Sequence, residues 1–484
     1  MADLRVLRPL ITATVAVVLL AGCNGGDDKK SDSPSGGDGN NSATTPTIPE
    51  PPSFDPPKAF TAVAALPYPK PEQKLEFNPG KAGMVGKTAL YANKAGIAGR
   101  AIDGGTSWQV PAKDVESTTV IDYSQPMAVQ LGGKEVIATV YVQSVEAGGT
   151  QKAHSQLSYQ WIDPADGKVL AAVAIDLTPV IGPGNAGGDL ASTVYDAATG
   201  QIATGVGINS GEPAGKYSMV TGYADPVSQK GTVIPAVKPA GVLNGTVVGM
   251  TGHGGEGVKD LSIVVADGPS ATIKKTTPVP TMNYLSPLAG GGKHGYLQGS
   301  GYVQESATSG HDITSLYAVD LTSGAVIENK LAASESALNY TCLADHVGAV
   351  VCNGGKDSIS SDEIIGFDDA TGKKSWGYTS AAASRVVPKV TAVYNGAVYG
   401  MADTLPAVLD AKTGQDIPVP TATPNSTPTP GSTPTDGSGD LDLMYGQVKS
   451  PEMVSKYGGT YLLNPGDKAP RDTERVLVVQ QATS

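Results

Sequence analysis

From residue 75 onward the chain alternates short β-forming runs with clusters of Gly, Asp, Asn, Ser and Pro, and no long stretch carries a helical hydrophobic period. The clearest unit is EIIGFDDATGKKSW at 363–376. Ile364, Ile365 and Phe367 are β-formers, the Asp368 carboxylate can cap a turn, Gly372 accepts positive φ, and the chain then returns towards Trp376. The unit predicts strand, tight turn, strand. The same Asp-x-x-x-Gly corner, strict or loosened, recurs at Asp103, Asp163, Asp225, Asp267, Asp320, Asp368 and Asp410, at separations of 42 to 62 residues. Asp196 also matches but falls out of phase, on an inner hairpin of the third repeat.

Such spacing suits one four-stranded sheet with its connections. A single sheet would leave both faces wet, so a ring of sheets is the economical burial. The predicted fold is all-β, a β-propeller of about seven four-stranded blades, with eight as the close alternative. It is expected to span 75–484, with an unstructured Pro/Thr-rich insertion at 418–440. The β signal resumes at 459–463 and 475–480, and a final strand pairing with the first blade would close the ring and remove its open edge.

The start of the chain is different. Arg5 and Arg8 precede an apolar run from Leu10 to Ala21, too short to span a bilayer core as helix, and the run ends in Leu20-Ala-Gly-Cys23. Residues 1–22 therefore read as an export signal. Its last four positions resemble the lipobox of bacterial lipoproteins, which implies a mature chain beginning at a lipidated Cys23, held on the outer face of the cell membrane without crossing it. Residues 23–74 are poor in anything to bury, Gly/Ser-rich and then Pro-rich, and are expected to form a tether.

An exported chain can keep a disulfide. Cys342 and Cys352 flank a turn centred near Val347, and folding that segment as a hairpin sets the two sulfurs opposite each other as a local staple. Neither a C-x-x-C spacing nor a neighbouring histidine suggests a redox or metal role. The net charge is −12, and loss of Arg5, Arg8 and Asp3 on cleavage makes the mature chain slightly more acidic. With Arg100, Arg385, Arg471 and Arg475 as its arginines, it has no basic stripe for nucleic acid.

Three corners carry a family resemblance. Tyr317-Ala-Val-Asp-Leu-Thr-Ser-Gly324, Gly366-Phe-Asp-Asp-Ala-Thr-Gly372 and Val408-Leu-Asp-Ala-Lys-Thr-Gly414 are similar to the outer hairpin of the PQQ-like (pyrroloquinoline-quinone-type repeat) β-propellers, roughly ALDxxTGxxxW. The closing tryptophan appears at Trp376, while Glu328 and Pro418 stand in its place elsewhere, so blade docking there must use other side chains. Ala101-Ile-Asp-Gly-Gly-Thr-Ser-Trp108 resembles instead the Asp-box of sialidase-type propellers.

Those resemblances imply architecture first. The quinone-dependent dehydrogenases of this type use adjacent cysteines, a tryptophan floor and a calcium site, and no run here supplies that set. Sialidases need an arginine triad and a tyrosine nucleophile, for which no local motif is present. Gly252-His-Gly-Gly-Glu-Gly257 spells G-x-G-x-x-G, but the strand-like Leu261-Ser-Ile-Val-Val265 follows where a dinucleotide fold needs a helix N-terminus. His253 and Glu256 therefore read as a flexible hairpin tip, and His154, His294, His311 and His346 as surface or satisfied packing positions. No catalytic residue, cofactor or metal is assigned. The expected role is a lipid-anchored module binding a protein or envelope polymer, with a propeller enzyme acting on an extracellular sugar or alcohol as the alternative.

Overall fold

The computed structural model describes residues 50–67, 80–112, 118–150, 152–182, 186–209, 219–252, 260–306, 309–331, 338–357, 360–381, 384–419, 449–463 and 476–484. Eight antiparallel sheets account for nearly all of it. Seven follow one another along the chain, in residues 81–111, 118–176, 186–235, 238–278, 284–330, 339–379 and 389–417. Here they are the first to seventh blades. In each, strand order equals chain order, so every blade is a meander counted outward from the first strand. The innermost strands contact one another in sequence around a ring. The fold is an eight-bladed β-propeller.

The eighth sheet is assembled from both ends of the chain. Met453–Ser455, Gly458–Leu463 and Val476–Ala482 supply its three inner strands, and Phe60–Pro67 pairs outside Val476–Ala482. Met453–Ser455 lies between the innermost strands of the seventh and first blades, which completes the ring. Two expectations change here. Residues 60–67 belong to a strand rather than to the tether, and the closing strand pairs with them in a sheet of their own, not with the first blade. The Asp corners count seven because the eighth sheet joins its two outer strands without a covalent turn.

Two blades depart from the pattern for local reasons. The innermost strand of the second is split at Pro126, which has no N–H to give the ladder. Thr118–Tyr123 and Met127–Leu131 share the long strand Lys134–Val145, and Ser124 bridges the break through its N–H to the Val140 carbonyl and its Oγ from the Val140 N–H. In the seventh blade the fourth strand is reduced to one bridge, Leu409 with Asp416, before Pro418 ends it.

All seven corners are built as the side-chain chemistry requires. The Asp103, Asp163, Asp225, Asp267, Asp320, Asp368 and Asp410 carboxylates each accept a backbone N–H two or three residues on. Asp196 caps a turn in the same way, between the first two strands of the third blade.

The corners are also where blades dock. Trp108 donates its indole N–H to the Pro164 carbonyl of the next blade at 3.0 Å, and Trp376 donates to Ala411 at 2.8 Å. Each ring lies on a corner glycine, Gly167 or Gly414, where a Cβ would collide with it and where φ is positive. In the third, fourth and fifth blades, which lack that tryptophan, shorter or charged donors reach the next corner: Thr232 Oγ1 to Gly268 O, Lys275 Nζ to Gly324 O, and Asn329 Nδ2 to Gly372 O. Glu328, in the tryptophan's place, turns inward to accept from Ser315 Oγ. Between these contacts, apolar clusters fill the blade interfaces. The largest surrounds Trp161, whose N–H reaches the Gly200 carbonyl of the third blade.

Candidate functional site

The meander divides the ring into two ends. Connections between the first and second strands, and between the third and fourth, lie at one end and are tight. Connections between the second and third strands, and from blade to blade, lie at the other and are generally longer. These are the turn end and the loop end.

At the turn end the polar side chains are engaged in holding the ring. Asp369, just after the sixth-blade corner, is buried and accepts from Lys293 N at 2.8 Å, His294 N at 3.2 Å and Tyr296 OH at 3.0 Å, all on the fifth blade. His294 is equally buried. Its Nδ1 lies 2.7 Å from the Asp369 carbonyl and its Nε2 3.9 Å from Asp320. Burial pushes the Asp369 carboxyl up, but the hydrogen bonds from His294, Tyr296 and Lys293 outweigh it and hold the group below its ordinary value. For His294 burial works downward and is outweighed by Asp369 and Asp320, so the imidazole sits above its ordinary value. Asp196 accepts from Asn244 N, and Asp345 from Gly396 N, each across a blade boundary.

Two further features mark this end. The rings of Tyr195 and His346 meet at 4.4 Å, joining the third and sixth blades across the mouth of the ring. Residues 50–57 run over the closing blade and its neighbours. Glu50 pairs with Lys87 at 2.7 Å, Phe54 N donates to Lys456 O, Asn395 Nδ2 donates to Asp55 Oδ1, and Tyr399 OH donates to Pro57 O. Residues 50–57 therefore lie at the turn end.

The loop end offers a different surface. In the fifth blade His294–Gln304 and Gly310–Asp320 pair over their whole length, whereas the innermost strand begins only at Tyr284, opposite Ser300. Residues 301–306 and 309–313 consequently extend past the blade as the two arms of a hairpin. Its tip is fixed by His311 Nδ1 against Glu305 at 3.0 Å and by Ser306 Oγ with Ser309 Oγ at 2.7 Å. Tyr284 and Tyr302 are 55 % and 50 % exposed, and they are the exposed aromatic side chains among the described residues. Val303 beside them is also exposed.

A crevice of about 780 Å³ opens between the first and closing blades, where Leu66 and Leu477 face Tyr91, Ala98, Arg100 and Gln109. It is the wedge left as neighbouring sheets splay towards the rim.

The residues singled out from the sequence fall as follows. Cys342 and Cys352 occupy directly opposed positions of one hairpin and form a disulfide. His294 is a buried packing residue, His154 accompanies the Lys152 carbonyl, and His346 and His311 make the contacts just described. The signal segment, Cys23, His253, Glu256 and residues 420–448 lie outside the described residues. Asp369, Asn329, Tyr284 and Tyr302 were not singled out. Only strand register reveals their surroundings.

No protein-family model matches the chain, and no curated protein does. Among solved structures it is similar to the β-propeller domain of the trilobed protease from Pyrococcus furiosus, described as having an open velcro topology, at 12 % identity over 63 % of this chain and 84 % of that one, with a TM-score of 0.34. It is also similar to the WD40 domain of SCAP from fission yeast, at 11 % identity over 69 % and 85 % with a TM-score of 0.36. A prolyl endopeptidase matches at 14 % identity over 70 % of this chain and 48 % of its own, again with a TM-score of 0.36. Likeness at this level says nothing about activity.

Proposed function

We propose that the protein is a membrane-anchored extracellular lipoprotein whose propeller is a binding module for a cell-envelope ligand. The observation that carries this reading is the division of labour between the ring's ends. Residues 50–57 reach the turn end through the contacts of Glu50, Phe54, Asp55 and Pro57, and Asp196, Asp345, Asp369 and His294 there join neighbouring blades. The loop end carries the projecting hairpin with both exposed tyrosines. An anchor at Cys23 would connect to the described residues through Glu50, whose contacts lie at the turn end and leave the loop-end surface uninvolved. Solvent-exposed aromatics on a rigid support are a common form of recognition surface.

The test combines fractionation with in-cell crosslinking. Cys23→Ser should release the protein from membranes, and unchanged partitioning would remove the anchor from the reading. Crosslinks from the anchored protein should concentrate on the loop end of the fifth blade. Turnover of an extracellular sugar or alcohol, lost on substitution of residues at that end, would replace the binding role with an enzymatic one.

A further inference from the structure

We infer that Tyr284 and Tyr302 form a stacking platform for an uncharged saccharide chain. The inference rests on the binding-module reading and names its ligand class. Tyr284 is opposite Ser300, and side chains along a strand alternate faces, so Tyr302, two residues beyond Ser300, shares a face with Tyr284. Diagonal neighbours of this kind lie about 7–8 Å apart. The two side chains thus share one face of paired strands, with the Tyr302 ring directed away from Tyr284 over Gly310, so that they would meet separate sugar units of one chain.

The platform is shaped for stacking. The Tyr302 ring folds over Gly310 on the partner strand, where a Cβ would collide with the end of the ring. One side of the ring is supported by backbone. The C–H-rich face of a pyranose ring packs against an aromatic face, and its rim of hydroxyls needs hydrogen-bonding partners at the edge of the contact. On the same face of the hairpin as Tyr302, Gln304, whose amide N–H donates to the Ser306 carbonyl, supplies its amide oxygen, and Ser300, which accepts from Gln298, and Thr314 supply hydroxyls.

Area and charge choose the class of occupant. Two half-exposed tyrosines offer on the order of 200 Å². A stable protein partner needs about 800 Å² from each side, so the platform suits a narrow chain better than a protein face. Glu305 and Asp312 on this hairpin, on a protein of net charge −12, disfavour a polyanion.

Calorimetric titration of the full chain with N-acetylglucosamine tetramer, cellotetraose and maltotetraose tests the proposal, with trigalacturonate as the charged comparator. At least one neutral tetrasaccharide should bind, and trigalacturonate should not. Tyr302→Ala and Tyr284→Ala should each weaken that binding by about tenfold, Tyr302→Phe should retain it, and Gly310→Ala should weaken it by displacing the ring. Because both tyrosines are half-exposed, the double alanine variant should keep the wild-type melting temperature. No heat from any neutral tetrasaccharide, or binding unchanged in the double variant, would overturn the inference. A recurrent crosslinked protein without saccharide binding would do so while leaving the binding-module reading standing. Saccharide binding by a chain that is not membrane-anchored would leave the platform standing and remove the anchor.

Discussion

Replacing Asp369 by alanine should loosen the sixth blade from the fifth. The lost carboxylate accepts the buried His294 N–H, the part-buried Lys293 N–H and the Tyr296 hydroxyl. Each orphaned donor costs about 1–3 kcal/mol, and because the three share one acceptor and relax together, the expected loss is about 3–5 kcal/mol rather than their sum. Asp369→Asn keeps an acceptor of similar size and should cost less, about 1–2 kcal/mol. The pH dependence is a sharper signature. Asp369 is held below its ordinary value in the folded chain, so its contribution is present above about pH 4 and fades as pH falls through the lower folded value. His294 is held above its ordinary value, so its contribution is present below about pH 6.5 and fades as pH rises through the higher folded value. Together they favour the native ring most between those limits. Guanidinium unfolding from pH 3 to 9 should show a broad mild-acid maximum in the wild type, flattened in Asp369→Asn. As a control, Asp416→Ala breaks an exposed pair with Arg385 and should change stability by less than about 1 kcal/mol. A loss below about 1 kcal/mol in Asp369→Ala, or the same pH profile in wild type and Asp369→Asn, would refute the assignment of Asp369 as the interblade lock.

Other contacts lend themselves to equally direct measurement. Trp376→Ala removes the ring lying on Gly414 and the bond to the Ala411 carbonyl, and should destabilise by about 3–5 kcal/mol, with Trp376→Phe recovering part of the loss in denaturant titrations. Deleting the chain through Pro67 strips the outer strand from Val476–Ala482 and exposes its edge, so size-exclusion chromatography should show self-association that deletion of the residues before Glu50 does not cause. Replacing Cys342 and Cys352 together by alanine opens a short loop and should cost about 2–3 kcal/mol by thermal unfolding without loss of the ring, since the hairpin pairing persists around them.

Local chemistry made the blades legible. An Asx turn needs only Asp and the residues just after it, so all seven corners could be placed from the sequence, and Trp376 could be read as a docking residue. Trp108 lay inside its Asp-box for the same reason. The closing sheet was harder because its outer strand, FTAVAALP, follows a proline-rich stretch and its partner is more than 400 residues away. Nothing local marks it as paired. The docking contacts of Thr232, Lys275 and Asn329 were hidden for a related reason: these residues are ordinary until register places each beside the next corner. The tyrosine platform depends on a difference in strand length within one blade. Tyr284 and Tyr302 look like any β-forming tyrosines in the sequence, and only the register of the fifth blade places them on one face at its loop end.

The shared closing sheet has a consequence for how the protein is made. A chain emerges from synthesis N-terminus first, so Phe60–Pro67 arrives early and must wait for a partner more than 400 residues further on. Seven blades can form one by one behind it, each from contiguous residues, while the circle stays open. Loss of Val476–Ala482, through a premature stop or trimming, would leave the seven contiguous blades intact and the ring unsealed. That strand therefore seals the circle, and a copy lacking it would carry an open seam for quality-control proteases to find.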